Sequence, residues 1–132
     1  MPEQEYFLRA EVERLLSSYA LFIDCQDIEK AVALFTEDCQ LVFMGVSANG
    51  RDAVRYVFES AIARGRVGIH LPGPTLVEVD KSGLSATTLQ SFIFIPNGSN
   101  DLLRGLYRDL VVYQHDTWRF QRRDIDLFPG AE

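Results

Sequence analysis

The amino-acid sequence predicts a single α+β domain in which three N-terminal helices cover one face of a curved, mainly antiparallel sheet. Apolar residues recur at three- and four-residue steps before Gly65, whereas the chain after Gly65 consists of β-rich runs separated by short turns. A length of 132 residues with 47% hydrophobic and 24% charged residues fits one globular core. We therefore expect residues 1–132 to form one domain.

Three segments have helical periodicity. The first predicted helix runs from Glu3 to Asp24 and presents one apolar face. A second, short helix is capped by Asp27 and extends to Phe35, and a third spans residues 51–65 and ends at Gly65. The apolar face of the first helix comprises Leu8, Val12, Leu15, Leu16, Tyr19, Phe22 and Ile23.

The β-rich runs are long and clearly punctuated. "CQLVFMG" predicts a strand before the third helix, and "SANG" predicts the turn that follows it. The later runs cover residues 67–71, 75–80, 84–95, 102–114 and 118–128, with breaks at "PGP", "KSG", "PNGSND" and "HDT". Because long strands twist, a sheet of this kind curls, and a curl covered by helices encloses a pocket.

Charge and composition argue against several classes of function. A net charge of −6 and a pI near 4.9 repel phosphate backbones, so nucleic acid is not an expected partner. The sequence has no apolar run of membrane-spanning length and an acidic N-terminus, which predicts a cytoplasmic protein with Cys25 and Cys39 as reduced thiols. We find no phosphate loop, metal-ligand spacing or serine elbow, so no cofactor or metal is expected.

The two histidines differ in context. His115 lies in the turn "HDT", which is typical of a solvated residue, whereas His70 lies in "VGIHL" among apolar neighbours. His70 is either a hydrogen-bonded core residue or a general base, and Asp24 is its candidate carboxylate partner. A carboxylate beside an imidazole fixes its tautomer and stabilises its protonated form. Asp24 could instead cap a helix.

Tyr19 and an arginine are further candidates. Tyr19 is at the centre of the apolar face, so it is either a core aromatic residue or a pocket hydroxyl donor. Five residues turn a helix by about 140°, so Tyr19 and Asp24 can line one pocket only if the helix ends at Asp24. Arg122 and Arg123 point to opposite sides of the last strand, so one should lie inward or at the pocket rim. Such an arginine forms an ion pair or holds an anion.

Three segments carry a resemblance to a known family: "YALFIDCQDIEKAVALFTEDCQLVF", "GIHL" and "RGLYRDLVVYQHDTWRFQRRDIDL". Together they resemble the SnoaL-like group of the nuclear transport factor 2 superfamily over nearly the whole chain. The resemblance implies a cone of curved sheet, closed by three helices around a hydrophobic pocket. This superfamily includes scytalone dehydratase, bile acid 7α-dehydratase, hexachlorocyclohexane dehydrochlorinase and polyketide cyclase-like enzymes.

The resemblance also implies site residues. Asp24 and His70 fall where those dehydratases and the dehydrochlorinase carry an aspartate and histidine pair. Tyr19 matches a tyrosine five residues before that aspartate, and Arg123, five residues after Trp118, is similar to the dehydrochlorinase pocket arginine. We therefore expect Asp24, His70, Tyr19 and Arg123 to form the catalytic set.

The expected function follows from that set. The resemblance favours a cofactor-independent lyase with dehydratase-like elimination, or a related isomerase or cyclase, acting on a small hydrophobic cyclic molecule. The alternatives are a non-catalytic small-molecule-binding protein and an accessory protein like the β subunit of ring-hydroxylating dioxygenases. A homo-oligomer, dimer or trimer, is also expected, because the outer face of a curved sheet needs cover.

Overall fold

A computed structural model describes residues 2–128 and confirms the α+β architecture. The helices are α1 (Pro2–Asp24), α2 (Ile28–Ala33) and α3 (Arg51–Ala63). The strands are β1 (Phe35–Phe43), β2 (Val46–Asn49), β3 (Gly68–Val79), β4 (Ser85–Pro96), β5 (Leu103–Gln114) and β6 (Thr117–Leu127).

The strands form one six-stranded sheet in the order β2-β1-β6-β5-β4-β3. β1 and β6 are parallel and all other neighbours are antiparallel, so the sheet is mixed but mainly antiparallel, as predicted. It is curled and unclosed, and the helices cover its concave face. No helix within residues 2–128 is long and apolar enough to cross a membrane.

The end of α1 sets the position of the candidate carboxylate. Gln26 has a left-handed backbone with φ of 59°, and the Asp27 N–H donates to the Phe22 carbonyl oxygen at 2.9 Å. This six-to-one hydrogen bond closes a Schellman-type C-terminus, so the helix ends at Asp24. Asp27 then caps α2 by accepting from the Lys30 N–H at 3.2 Å, as predicted.

Two predicted boundaries near β1 are wrong. The second helix ends at Ala33 rather than at Phe35, because Phe35 already begins β1 and is opposite Phe120 of β6. The predicted turn "SANG" belongs mostly to β2, whose Asn49 is opposite Gln40. The reversal lies earlier, at residues 44–45, where both backbones have positive φ.

The predicted break at "PGP" is also wrong, because β3 runs through it. Its register against β4 shifts between Pro72 and Thr75, which is a bulge rather than a chain reversal. A Cβ atom at Gly73 would come too close to the Ser91 hydroxyl oxygen, so a larger residue at this position would force that hydroxyl to move. The bulge lets one long strand bend around the curled sheet and keeps His70 facing inward.

The core lies between the helices and the concave face of the sheet. Its centre is aromatic: the Tyr19 ring contacts Phe35, Phe58, Tyr107 and Phe120 with centroid separations of 5.8–6.2 Å. On the outer face of β3, Ile69, Leu71 and Leu76 are exposed. That a second copy of the chain covers this outer face stays a prediction.

Candidate active site

Asp24 and His70 form a close pair, although 46 positions separate them in the sequence. The His70 Nδ1 atom is 2.6 Å from Asp24 Oδ1, and the His70 backbone N–H donates to Asp24 Oδ2 at 2.9 Å. β3 is an edge strand, so this N–H would otherwise lack a partner in the sheet. One carboxylate thus holds both the backbone and the ring of His70.

A cavity of about 600 Å³ opens beside this pair. His70 borders the cavity, whereas Asp24 lies behind it and borders a second, small cavity of about 40 Å³. Within residues 2–128, the His70 Nε2 atom has no hydrogen-bond partner. The large cavity is lined mostly by apolar side chains, among them Ile23, Leu41, Phe43, Phe58, Phe92, Phe94, Leu103 and Ile125.

The environment of His70 favours the neutral ring. Burial lowers the imidazole pKa below its ordinary value of 6.5, and burial together with the charge of Arg123 outweighs the hydrogen bond and the charge of Asp24, which raise it. Because a carboxylate only accepts hydrogen bonds, the neutral ring is assigned the tautomer with its proton on Nδ1. Nε2 then keeps a lone pair beside the cavity, which is the arrangement a general base needs.

We expect an NMR titration of the unaltered protein to give a His70 pKa below 6.5. Asp24→Asn should lower it further, because the substitution removes the contributions that raise it. In the folded protein the His70 pKa is lowered, and in the unfolded chain it has its ordinary value of 6.5. Between these two values the unfolded chain binds more protons than the folded protein, so folding stability should fall as the pH falls through that window. His115→Ala, which removes the other of the two histidines, identifies the ring signals of His70. A His70 pKa above 6.5, or one unchanged by Asp24→Asn, would contradict this assignment.

Two tyrosines also line the cavity. Burial raises the pKa of Tyr19 to about 12 and raises that of Tyr107 as well, so both phenols stay protonated at neutral pH. Neither hydroxyl is hydrogen-bonded to another residue of the described range 2–128. Sequence reasoning missed Tyr107. Its signal is the alternation in "RGLYRDL", which places Tyr107 on the same strand face as Asp109.

Arg123 points inward, as expected for one of the two adjacent arginines, but it does not line the large cavity. It is fully buried, and its guanidinium carbon lies 3.5 Å from the Tyr107 ring centroid and 4.2 Å from that of Tyr19. It is therefore behind the tyrosines. A molecule in the large cavity would therefore meet the rings of Tyr19 and Tyr107 before it reached Arg123. Arg122 is exposed and pairs with Asp124 at 3.2 Å.

The charge of Arg123 is balanced by Asp109. Arg123 Nε is 3.3 Å from Asp109 Oδ1, without the alignment of a hydrogen bond, and Thr88 donates to Asp109 Oδ2 at 2.7 Å. Both charged side chains are inaccessible to solvent. Within this pair it is the guanidinium group that lies against the rings of the two phenols that line the cavity.

The described part of the chain contains no metal-binding cluster and no activated cysteine. Residues 2–128 contain no cluster of three or more histidine, cysteine, aspartate or glutamate side chains that could hold a metal ion. Cys25 and Cys39 are free thiols, exposed and buried respectively, which agrees with the prediction of reduced cysteines. Burial raises the Cys39 pKa, and this disfavours a reactive thiolate.

Comparison with known proteins supports the architecture. A protein of unknown function from Mycobacterium tuberculosis is 27% identical with a TM-score of 0.88, covering 98% of this chain and 76% of that one. A putative scytalone dehydratase from Novosphingobium aromaticivorans is 25% identical with a TM-score of 0.85, covering 98% of this chain and 89% of that one.

A more distant structure shares the fold alone. Hexachlorocyclohexane dehydrochlorinase from Novosphingobium barchaimii is 13% identical with a TM-score of 0.84, covering 99% of this chain and 93% of that one.

No curated protein sequence matches this chain. The profile of the SnoaL-like domain matches residues 4–124. The chain therefore belongs to the SnoaL-like domain family, with the fold of nuclear transport factor 2-like proteins.

Proposed function

We propose that this protein is a cofactor-independent lyase that eliminates water from a small hydrophobic cyclic substrate. The observation that carries the proposal is the Asp24–His70 pair, with Nδ1 held by the carboxylate and Nε2 left beside a cavity of about 600 Å³. A base in a mostly apolar cavity can act on a carbon acid while bulk water is kept away from the reaction.

In the proposed reaction, His70 Nε2 takes a proton from a ring carbon next to a carbonyl group. The electron pair of that C–H bond forms a C=C bond, and the C–O bond to a β-hydroxyl group breaks. The protonated imidazole gives that proton to the departing hydroxide, so that water leaves and His70 returns to its neutral form, while the Tyr19 hydroxyl donates a hydrogen bond to the leaving oxygen. Tyr107 donates a hydrogen bond to the carbonyl oxygen as it gains negative charge.

Two residues act without touching the reacting atoms. Asp24 stabilises the imidazolium that forms when His70 takes the proton, and it holds the ring in one orientation. Arg123 is a positioning residue, because its charge and its ring contacts lie behind Tyr19 and Tyr107. The similarity to a putative scytalone dehydratase supports elimination over other chemistry of the same fold.

The reaction class can be tested with a panel of cyclic β-hydroxy ketones and the matching ketones without the hydroxyl group. We expect the hydroxy ketones to give enones, detected by ultraviolet absorbance, and the simple ketones to exchange their α-protons in D₂O, detected by NMR. Asp24→Asn should slow both processes. Exchange of the α-protons of both kinds of ketone without any enone would favour an isomerase or another enolising enzyme and contradict the lyase proposal.

The rival function is binding without chemistry, which the mostly apolar lining of the large cavity also favours. A pure binding protein should take up the same ketones saturably, with no proton exchange above the buffer rate. Its affinity should not depend on Asp24, which lies outside the large cavity. That combination of results would reject the lyase proposal.

A further inference from the structure

Two arginines, Arg64 and Arg66, line the large cavity, and they are its distinctive charged feature. Both residues are exposed, and neither side chain has an ion-pair or hydrogen-bond partner within residues 2–128. Among the described residues, no aspartate or glutamate lines the same cavity. The large cavity therefore combines a mostly apolar wall with two cations, of which Arg66 also borders the small cavity together with Asp24.

Most other arginines of this chain have a partner, although the exposed Arg14 of α1 has no side-chain partner within residues 2–128 either. Arg55 pairs with Glu29 at 2.9 Å, Arg108 pairs with Asp126 at 2.8 Å, and Arg9 pairs with Glu5 at 2.9 Å. The whole protein carries a net charge of −6, so carboxylates are abundant elsewhere on it. Unpaired cations beside a cavity in such a protein indicate an external anionic partner.

The end of α3 fixes the backbone at these two residues. Gly65 adopts φ of 72°, and the Arg66 N–H donates to the Ala61 carbonyl oxygen at 2.8 Å, which forms a Schellman motif. The chain folds back over the last turn of the helix. This reversal keeps Arg66 against the same cavity as Arg64, instead of letting the loop leave the surface.

Polar side chains of the lining accompany the arginines. Tyr56 and Ser60 of α3 and its C-terminal capping residue Arg64 follow one another at four-residue steps, so they lie along one side of the helix and its end. Ser47 of β2 lines the cavity as well. Guanidinium groups with hydroxyl donors along the same cavity suit a carboxylate, whose oxygens accept several hydrogen bonds.

We propose that the cavity binds an amphipathic organic anion, with its ring system among the apolar side chains and its carboxylate at Arg64 and Arg66. This inference names the substrate class and rests on the proposed function. The net negative charge of the protein does not prevent such binding, because short-range contact with two arginines outweighs distant charges that salt screens.

The ordinary explanation is that Arg64 and Arg66 stabilise the C-terminus of α3 through the helix dipole. In that case their removal should lower the unfolding temperature slightly and affect charged and neutral molecules alike. The two explanations therefore differ in whether the loss of binding depends on the charge of the bound molecule.

The test uses two fluorescent probes with related ring systems: the anionic 1-anilinonaphthalene-8-sulfonate and the neutral N-phenyl-1-naphthylamine. We expect Arg64→Gln combined with Arg66→Gln to weaken sulfonate binding about 10-fold and to change neutral-probe binding less than about twofold. Raising NaCl from about 0.02 M to about 0.5 M should weaken sulfonate binding by the unaltered protein and hardly affect the double variant. Arg14→Gln, at an exposed arginine of α1, is the matched control.

Equal effects on both probes, no effect on either, or no sulfonate binding by the unaltered protein would overturn the anion-site inference. His70→Ala separates this result from the proposed function, since it should keep the preference of the arginines for the anionic probe. A protein that shows this preference but no proton exchange with any ketone would retain the anion site and lose the lyase assignment.

Discussion

Replacing His70 by alanine should lower the rate of α-proton abstraction by about two to four orders of magnitude. The substitution removes the ring nitrogen beside the cavity, and it leaves Asp24 able to accept the backbone N–H of residue 70. Both the exchange rate in D₂O and the rate of enone formation should fall. Binding of the neutral probe should be retained, because most of the cavity wall is unchanged.

His115→Ala is the matched control, since it removes the other histidine from an exposed turn. We expect it to leave both rates within about twofold of the unaltered protein. Added imidazole should restore part of the activity of His70→Ala by entering the space that the substitution creates. Full activity in His70→Ala would refute the assignment of His70 as the base.

Arg123→Met should have the largest effect on stability, lowering the free energy of unfolding by about 3 to 5 kcal/mol. The substitution removes the cation beside Asp109, whose carboxylate is fully buried. Burial already raises the Asp109 pKa and Arg123 opposes that rise, so the variant should raise it further. The folded variant then binds more protons than the unfolded chain, and its destabilisation should shrink as the pH falls. Urea unfolding of the variant and of the unaltered protein at several pH values measures this difference in the free energy of unfolding.

A double-mutant cycle separates the ion pair from simple loss of packing. Arg123→Met combined with Asp109→Leu should be less destabilised than the sum of the single variants, because no unpaired charge remains buried. Arg122→Met is the control on the exposed side of β6 and should change stability by less than about 0.5 kcal/mol. Strictly additive effects would show that the pair has no energetic coupling.

Local sequence patterns predicted the elements with strong periodicity. The apolar spacing of α1, the cap at Asp27 and the stop at Gly65 all depend on neighbours within a few residues. The structure has the first two where they were predicted, whereas α3 ends at Ala63 and Gly65 forms the left-handed turn after it. The errors lie where tertiary pairing overrides local preference. Phe35 joins β1 because it packs in the core opposite β6, and residues 46–49 extend as β2 because β1 offers an edge.

In the candidate site, too, some features follow from local sequence and others from tertiary packing. Composition and residue type left His70 as the best base, because the other histidine lies in a polar turn. Tyr107 was missed because an aromatic residue in an alternating strand looks like any core residue. Strand alternation predicted that one of Arg122 and Arg123 points inward without deciding which, and the depth of Arg123 depends on the rings of Tyr19 and Tyr107 stacked between it and the cavity.

The sequence by itself determined the α+β class, the family resemblance and the residue types available for acid–base chemistry, because these follow from short-range periodicity and motif spacing. Tertiary structure decided which groups meet. The end of α1 and the inward face of β3 bring Asp24 to His70 across 46 residues, and the curl of the sheet leaves a cavity of about 600 Å³ beside the ring. Such contacts depend on strand register and bulges, which long-range packing sets and local sequence does not encode.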